Sequence, residues 1–418
     1  MNNHWLVICI SLIIILSYGF NHIAKKTSIP SVLLLIITGY IISLFYPLEL
    51  NDIKPVLEII GTIGLIMIVL EAALDLKLSK ETLPLVIKSF LIALFLLAGT
   101  STLIAMVIRF FYDTAIVNAF AYAIPLSIMS SAIIIPSVTT LSEHKKEFLI
   151  YEAAFSDILG IMAFYFLLDS IKMDGAGQIT MNIALNVTLT IVIAVVIGYA
   201  VILFIQRITA DVKLFLPIAL LLLLYSAGKL MHLSSLIFIL AFGLMINNKH
   251  IFFKGRLKKF IDNNNFNELL GELKLLTLES SFLVRTFFFI IFGMSISLSG
   301  INGTAIAITL FALAAIYGLR FITFSVAAKK EIEPAFFIAP RGLITVLLFF
   351  VIPAELAIQG FHSSILLLAI IVSSLVMMYG LIRHKRAMNR ELAMDELQNS
   401  KMDEIGDDDK EELPISHE

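Results

Sequence analysis

Apolar residues run in stretches of about 18 or more from one end of the chain to the other, broken by short polar intervals. Each stretch is long enough to cross the roughly 30 Å hydrocarbon core of a bilayer as a helix. The pattern predicts about thirteen spans, at roughly 4–21, 29–46, 53–71, 84–109, 115–140, 148–169, 180–206, 213–230, 233–247, 275–298, 302–327, 333–353 and 361–382. An all-α polytopic membrane protein is the expected fold class. Composition agrees: 59% of the 418 residues are hydrophobic and only 15% charged, whereas soluble domains run nearer about 45–50% and about 25%. Mean hydropathy is +0.97.

Positive residues fall in alternate loops. One set holds Lys25 and Lys26, Lys77 and Lys80, Lys145 and Lys146, Arg207 and Lys213, the stretch Lys249 to Lys274, Lys329 and Lys330, and Arg383 to Arg390. The other set holds only Lys54, Arg109, Lys172 and Lys229. Positive loops mark the cytoplasmic side, so the N-terminus is expected outside, the C-terminus inside, and the location a plasma or inner membrane. Positives follow the first apolar run rather than precede it, which argues against a cleaved signal. Residues 249–272 interleave Phe252, Phe253, Leu257, Phe260 and Ile261 with basic residues and read as a cytoplasmic amphipathic linker. Residues 383–418 turn from basic to acidic, which predicts a mostly disordered cytoplasmic tail, too short for a nucleotide-binding regulatory domain. Cys9 is the lone cysteine. No phosphate loop, zinc-type spacing or nucleophile elbow is present, so enzyme chemistry, a bound cofactor and a nucleic-acid partner are not expected.

Two spans carry helix breakers near their middles. "AYAIPLSIMSSAIIIPSV" holds Pro125 and Pro136 on either side of Ser130–Ser131, and "EPAFFIAPRGLITVLLFFVIP" holds Pro340–Arg341–Gly342. Proline removes a backbone donor and glycine loosens the helix. Freed backbone groups at membrane depth survive only against protein or a wet cavity. Two such spans, one in each half of the chain and running in opposite directions, are what an inverted repeat around a transport site requires. Read alone, each is also compatible with an ordinary proline kink.

Charges inside the membrane narrow the site. Asp157 lies ten residues beyond Glu147, about 15 Å deep and thus near the midplane; Glu152 lies about 7 Å below it on the same helix. Arg285 lies eleven residues beyond Lys274, at about the same depth as Asp157. A charge there costs about 2.5–3.5 kcal/mol and needs a partner or a task. The expectation is a structural ion pair between Glu152 and Arg285, leaving Asp157 as the unpaired working carboxylate. A desolvated carboxyl takes up a proton readily, so a proton and a small cation compete for the same oxygens. Arg320, about 27 Å along its span, reads as an anchor near the inner face; Glu71, Asp75 and Lys77 read as a solvated cluster at that surface, with a gate as the alternative.

These residues resemble the monovalent cation:proton antiporters, especially the NhaP-like sodium/proton exchangers. "YEAAFSDILGI" is similar to that family's Glu-x-x-x-Asn-Asp stretch, "SFLVRTFFFIIFGMSI" to its Arg-bearing tenth helix, and "APRGLITVLLFFVIP" to its Pro-Arg-Gly helix. "IPSVLLLIITGYIISL" and "IVLEAALDLKL" look like its second and third spans, so the resemblance covers roughly residues 5–385. It implies an NhaA-like fold with inverted repeats and two crossed, discontinuous helices, and a homodimer in membrane lipid. It implies scaffold helices at approximately 1–80 and 213–298 and core helices at approximately 84–206 and 302–382. It also implies that Asp157 carries cation or proton, that Glu152 pairs with Arg285, and that Arg341 belongs to the site. Ser156, Ser130 and Ser131 are the expected companion ligands of the transported ion. Ser156 stands where the family has Asn or a second Asp; Ser130–Ser131 replace a frequent Thr-Asp-Pro, and "SSAIIIP" looks more like the potassium-efflux branch. Ala153 replaces a Ser that contributes in some members. The sodium/proton resemblance makes Na⁺ the expected cation, and these departures leave K⁺ fitting as well.

The resulting expectation is secondary antiport of Na⁺ or K⁺ against H⁺, electroneutral because Ser156 leaves one free carboxylate. The competing class is sodium-coupled symport of a small organic solute, which wants a roomier polar cavity and more cation sites than this sequence offers. A channel needs a polar path or filter that the sequence lacks.

Overall fold

A computed structural model describes residues 3–27, 29–46, 50–79, 81–139, 141–171, 188–189, 192–200, 215–230, 235–252, 263–295, 300–327 and 332–411. The chain is helical throughout these residues, with no strand among them. In order come α1 (Asn3–Thr27), α2 (Ser31–Phe45), α3 (Leu50–Asp75), α4 (Leu83–Tyr112), α5 (Ile116–Ser127), α6 (Ser131–Ser137) and α7 (Glu143–Ser170). Residues 192–200 form α8. Then follow α9 (Phe215–Leu230), α10 (Ser235–Asn247), the single turn α11 (Lys249–Phe252), α12 (Asn263–Met294), α13 (Gly303–Ala327), the single turn α14 (Ile332–Ala335), α15 (Leu343–Phe350) and α16 (Ser364–Glu411).

Among the described residues, seven helical stretches are long and apolar enough to cross a membrane, and shorter apolar helices accompany them. Their outer faces carry large apolar side chains such as Phe110, Leu230 and Val326, as a surface in contact with lipid tails requires.

The helices pack in two groups. In one, α12 lies against α2 and α3, α1 against α2 and α12, and α10 against α3 and α9. Small residues set the closest approach: a Cβ on Gly39 would overlap the Ile290 carbonyl, and one on Gly293 the Ile36 carbonyl. In the other group, α4 packs against α5, α7 and α13, and α13 against α16. The first group is called the scaffold below and the second the core. α8 lies within the range assigned to the core, yet Gly198 faces Met245 and Phe242 of α10, on the scaffold.

Two further differences concern the segments outside the spans. Residues 263–272 of the expected linker are the first turns of α12, and residues 253–262 lie outside the described set. The tail does not depart from helix after residue 382: α16 continues to Glu411. Its composition is rich in Ala, Glu, Met, Leu, Lys and Arg, all good helix formers, and an existing helix needs no new nucleus to extend.

Candidate ion-binding site

Both interrupted spans are broken. α5 stops at Ser127, residues 128–130 are extended, and α6 restarts at Ser131. The second span turns at residues 336–337, stays irregular through 342, and becomes helix again at Leu343. The two breaks meet. Ser130 N donates to the Pro340 carbonyl across 2.9 Å. A Cβ on Gly342 would collide with Ser130 Oγ and Cβ, so glycine is what lets the second break lie against the first. Gly160 serves α7 in the same way against Ile128.

Three consecutive amides at the first break find acceptors, as burial in a membrane demands. Met129 N donates to Ser156 Oγ at 2.9 Å, Ser130 N to Pro340 O, and Ser131 N to Asp157 Oδ2 at 3.1 Å. On the second break, Arg341 N donates to Ser373 Oγ of α16 at 3.0 Å. Adjacent residues on a helix point about 100° apart, yet Ser156 and Asp157 both address the same unwound strand because that strand lies across α7. Asp157 is 2% exposed, and its Oδ1 has no hydrogen bond among the described residues. One carboxylate oxygen is thus held and the other left over. Ser130 and Ser131, both buried, complete the hydroxyl-bearing set around the break.

The expected Glu152–Arg285 pair is not formed. Glu152 pairs with Arg320 of α13: both Nη atoms reach its carboxylate as a fork, Nη2 to Oε2 at 3.0 Å. Arg320 Nε donates to the Ala335 carbonyl at 2.9 Å, and its guanidinium stacks over Phe324. Arg320 is 2% exposed, so it is no surface anchor. The reason is depth measured from the other end. Glu152 lies five residues, about 7.5 Å, inside its span, and Arg320 seven residues, about 10 Å, from the end of α13 at Ala327. Those levels match. Arg285 matched the level of Asp157 instead, and it sits on α12, packed with α2 and α3, beyond reach of Glu152.

Arg285 instead faces Glu71 of α3, with Nη1 3.4 Å from Oε2. Glu71 is buried rather than part of a solvated cluster, whereas Asp75 and Lys77 are exposed as expected. Arg341 is buried, with Nη1 donating to its neighbour's carbonyl at Ala339 (3.3 Å) and Nε unpartnered among the described residues. With Glu152, Arg320 and Ser156 it lines a cavity of about 20 Å³, room for roughly one water.

A larger cavity, about 340 Å³, lies between scaffold and core. Its walls come from α1 (Tyr18, Asn21, Ala24), α2 (Ser31, Leu35), Glu71, α12 (Glu279, Arg285) and α6. Its lining runs from Ala24, Pro30, Thr139 and Leu278 at one end to Ala132 and Ile133, next to the Ser131 that holds Asp157. It is a funnel whose lining ends beside Ser131.

The family model described as sodium/hydrogen exchanger, transmembrane, matches residues 10–381. The chain belongs to this family. Two solved structures of the sodium proton antiporter MjNhaP1 from Methanocaldococcus jannaschii share the fold. One, at pH 8, has a TM-score of 0.66 at 17% identity, covering 91% of this chain and 95% of that one. The other, an electron-microscopy map, has a TM-score of 0.67 at 18% identity, covering 94% and 98%. No curated protein matches the sequence. As a sodium/hydrogen exchanger, the chain is a multi-pass membrane antiporter of cations and protons. Arg320, read from sequence as a surface anchor, and Ser373, which the sequence does not single out, are both buried beside the site. Comparing depths from both faces of the membrane points to Arg320.

Proposed function

We propose that this exchanger moves one monovalent cation, Na⁺ or K⁺, against one proton, with Asp157 as the shared carrier. The observation that carries the proposal is the asymmetry of the Asp157 carboxylate, with Oδ2 held by the Ser131 amide and Oδ1 unpartnered at the crossing of two broken helices. A carboxyl out of water favours its neutral form, so the empty site takes up either a proton or a cation. Ser130, Ser131 and Ser156 offer hydroxyl oxygens to a dehydrated cation, of the hard-oxygen type that alkali ions prefer. Glu152 stays with Arg320, which leaves one carboxylate to alternate between its two ligands.

The core carries Asp157, and the scaffold supplies the far wall of the funnel. Rocking of the core against the scaffold opens the site to one side and then the other. In this reading the funnel faces the cytoplasm, because it opens on the side that bears the positive loops, and the N-terminus is outside. The chain works as a homodimer in the plasma or inner membrane and needs no bound cofactor. Purified protein in liposomes loaded with a pH-sensitive dye tests the reading. Addition of Na⁺ or K⁺, but not of a large organic cation, should move protons; no proton movement with Na⁺, K⁺ or Li⁺ would overturn it.

A further inference from the structure

Two Arg–Glu pairs among the described membrane-spanning residues are built differently. Glu152–Arg320 is forked, 1% and 2% exposed, and further fastened to a carbonyl and an aromatic ring. Such a pair is fixed, because breaking it strands a buried charge. Glu71–Arg285 is a single approach of 3.4 Å, beyond ordinary hydrogen-bond length. Arg285 is 15% exposed, Glu71 7%, and both line the funnel. Glu71 Oε2 has no hydrogen bond among the described residues. Both residues sit on helices of the scaffold, so the pair does not tie the two halves together. Its position is along the way in: opposite it, Ala132 and Ile133 form the first turn of α6, directly after Ser131.

We propose that Arg285 is a tethered competitor of the transported cation. With the funnel empty, its guanidinium neutralises Glu71. An arriving Na⁺ or K⁺ meets a carboxylate already occupied and has to displace the guanidinium before moving on to Asp157. The displacement costs less than breaking the forked pair, because the contact is long and made by one nitrogen. Arg285 thereby weakens cation uptake from the funnel side and favours release there. A positive charge is retained at the funnel wall whether or not an ion is present, and Glu279 at the rim, which accepts a hydrogen bond from Tyr18 (2.8 Å), supplies the nearby negative charge. The proposal rests on the reading that cations reach Asp157 through this funnel.

The test is cation-dependent exchange by the full chain in oriented liposomes, with half-saturation and maximal rate measured from the funnel side. Arg285→Gln should lower the half-saturating Na⁺ or K⁺ concentration about two- to fivefold, the range set by a partly exposed ion pair, with a smaller change in maximal rate. Arg285→Lys should stay close to the parent. Glu71→Gln leaves the guanidinium without its partner, so half-saturation should rise; Glu71→Gln with Arg285→Gln should bring it back toward the parent value. Folding of each variant is read by its thermal transition. If Arg285→Gln does not fold, Glu71→Gln and the double variant still decide, since unchanged half-saturation in Glu71→Gln overturns the proposal. Unchanged or raised half-saturation in a folded Arg285→Gln overturns it too. Absence of exchange by the parent chain would instead overturn the parent reading, so the two failures are distinguishable.

Discussion

Arg320 and Glu152 face each other as a forked ion pair between α13 and α7, buried to within 2% and 1% of full enclosure. The pair ties α7 to α13 and, in the proposed exchange, leaves Asp157 rather than Glu152 as the carrier. Removing one partner of a buried pair typically costs about 3–5 kcal/mol. Arg320→Ala and Glu152→Ala should each lower the thermal transition markedly, and the double variant should recover part of the loss. Strictly additive losses in a double-mutant cycle would show that the pair does not act as a unit.

Ser156 accepts the Met129 amide, so Ser156→Ala should strand a buried donor at a cost of about 1–3 kcal/mol. Because the carrier charge is untouched, the variant should keep its exchange stoichiometry while losing thermal stability. Measuring both quantities on the same preparation separates the amide-holding role from a charge-carrying one.

Gly342 lies against Ser130 with no room for a methyl group. Gly342→Ala should push the two breaks apart, at about 1–3 kcal/mol for an overpacked site, and slow exchange more than it lowers stability. A thermal scan beside a transport assay checks this. Gly303→Ala, where nothing lies within contact range, is the control and should change neither.

Glu152 is paired with Arg320 and residue 156 is a serine, so in the proposed scheme one carboxylate alternates between one proton and one cation. Exchange should be electroneutral. A membrane potential of about 100 mV would bias each net charge moved by about 2.3 kcal/mol, so the measurement is sensitive. Rates or end points that shift when only the potential is changed would show that a second charge travels.

Hydrophobic run length made the spans legible, because lipid forces backbone groups to pair within each helix. Every predicted span meets a helix or a broken pair of helices in the described residues, although for 180–206 these are only 188–189 and 192–200. Pro125, Pro136 and Pro340–Arg341–Gly342 made the breaks legible for the same reason: each withdraws or frees a backbone group that then needs a partner. The buried position of Asp157 was legible from depth. The partner of Glu152 was not, because a rise of 1.5 Å per residue gives a level and says nothing of which helices are neighbours. Arg285 and Arg320 are both arginines on apolar helices; only packing places α13 in the core beside α4 and α12 on the scaffold. The tail was misread because charge composition hides helical continuity with the apolar half of α16.

The central claim is that one residue, Asp157, carries both ions. Its most direct measurement is cation-driven proton movement by Asp157→Asn in liposomes, beside the parent protein at equal insertion and comparable thermal stability. Asparagine keeps the shape and an acceptor for the Ser131 amide, but it neither ionises nor releases a proton. Exchange should be abolished with the fold intact. Cation-driven proton movement persisting in the folded Asp157→Asn protein would contradict the account.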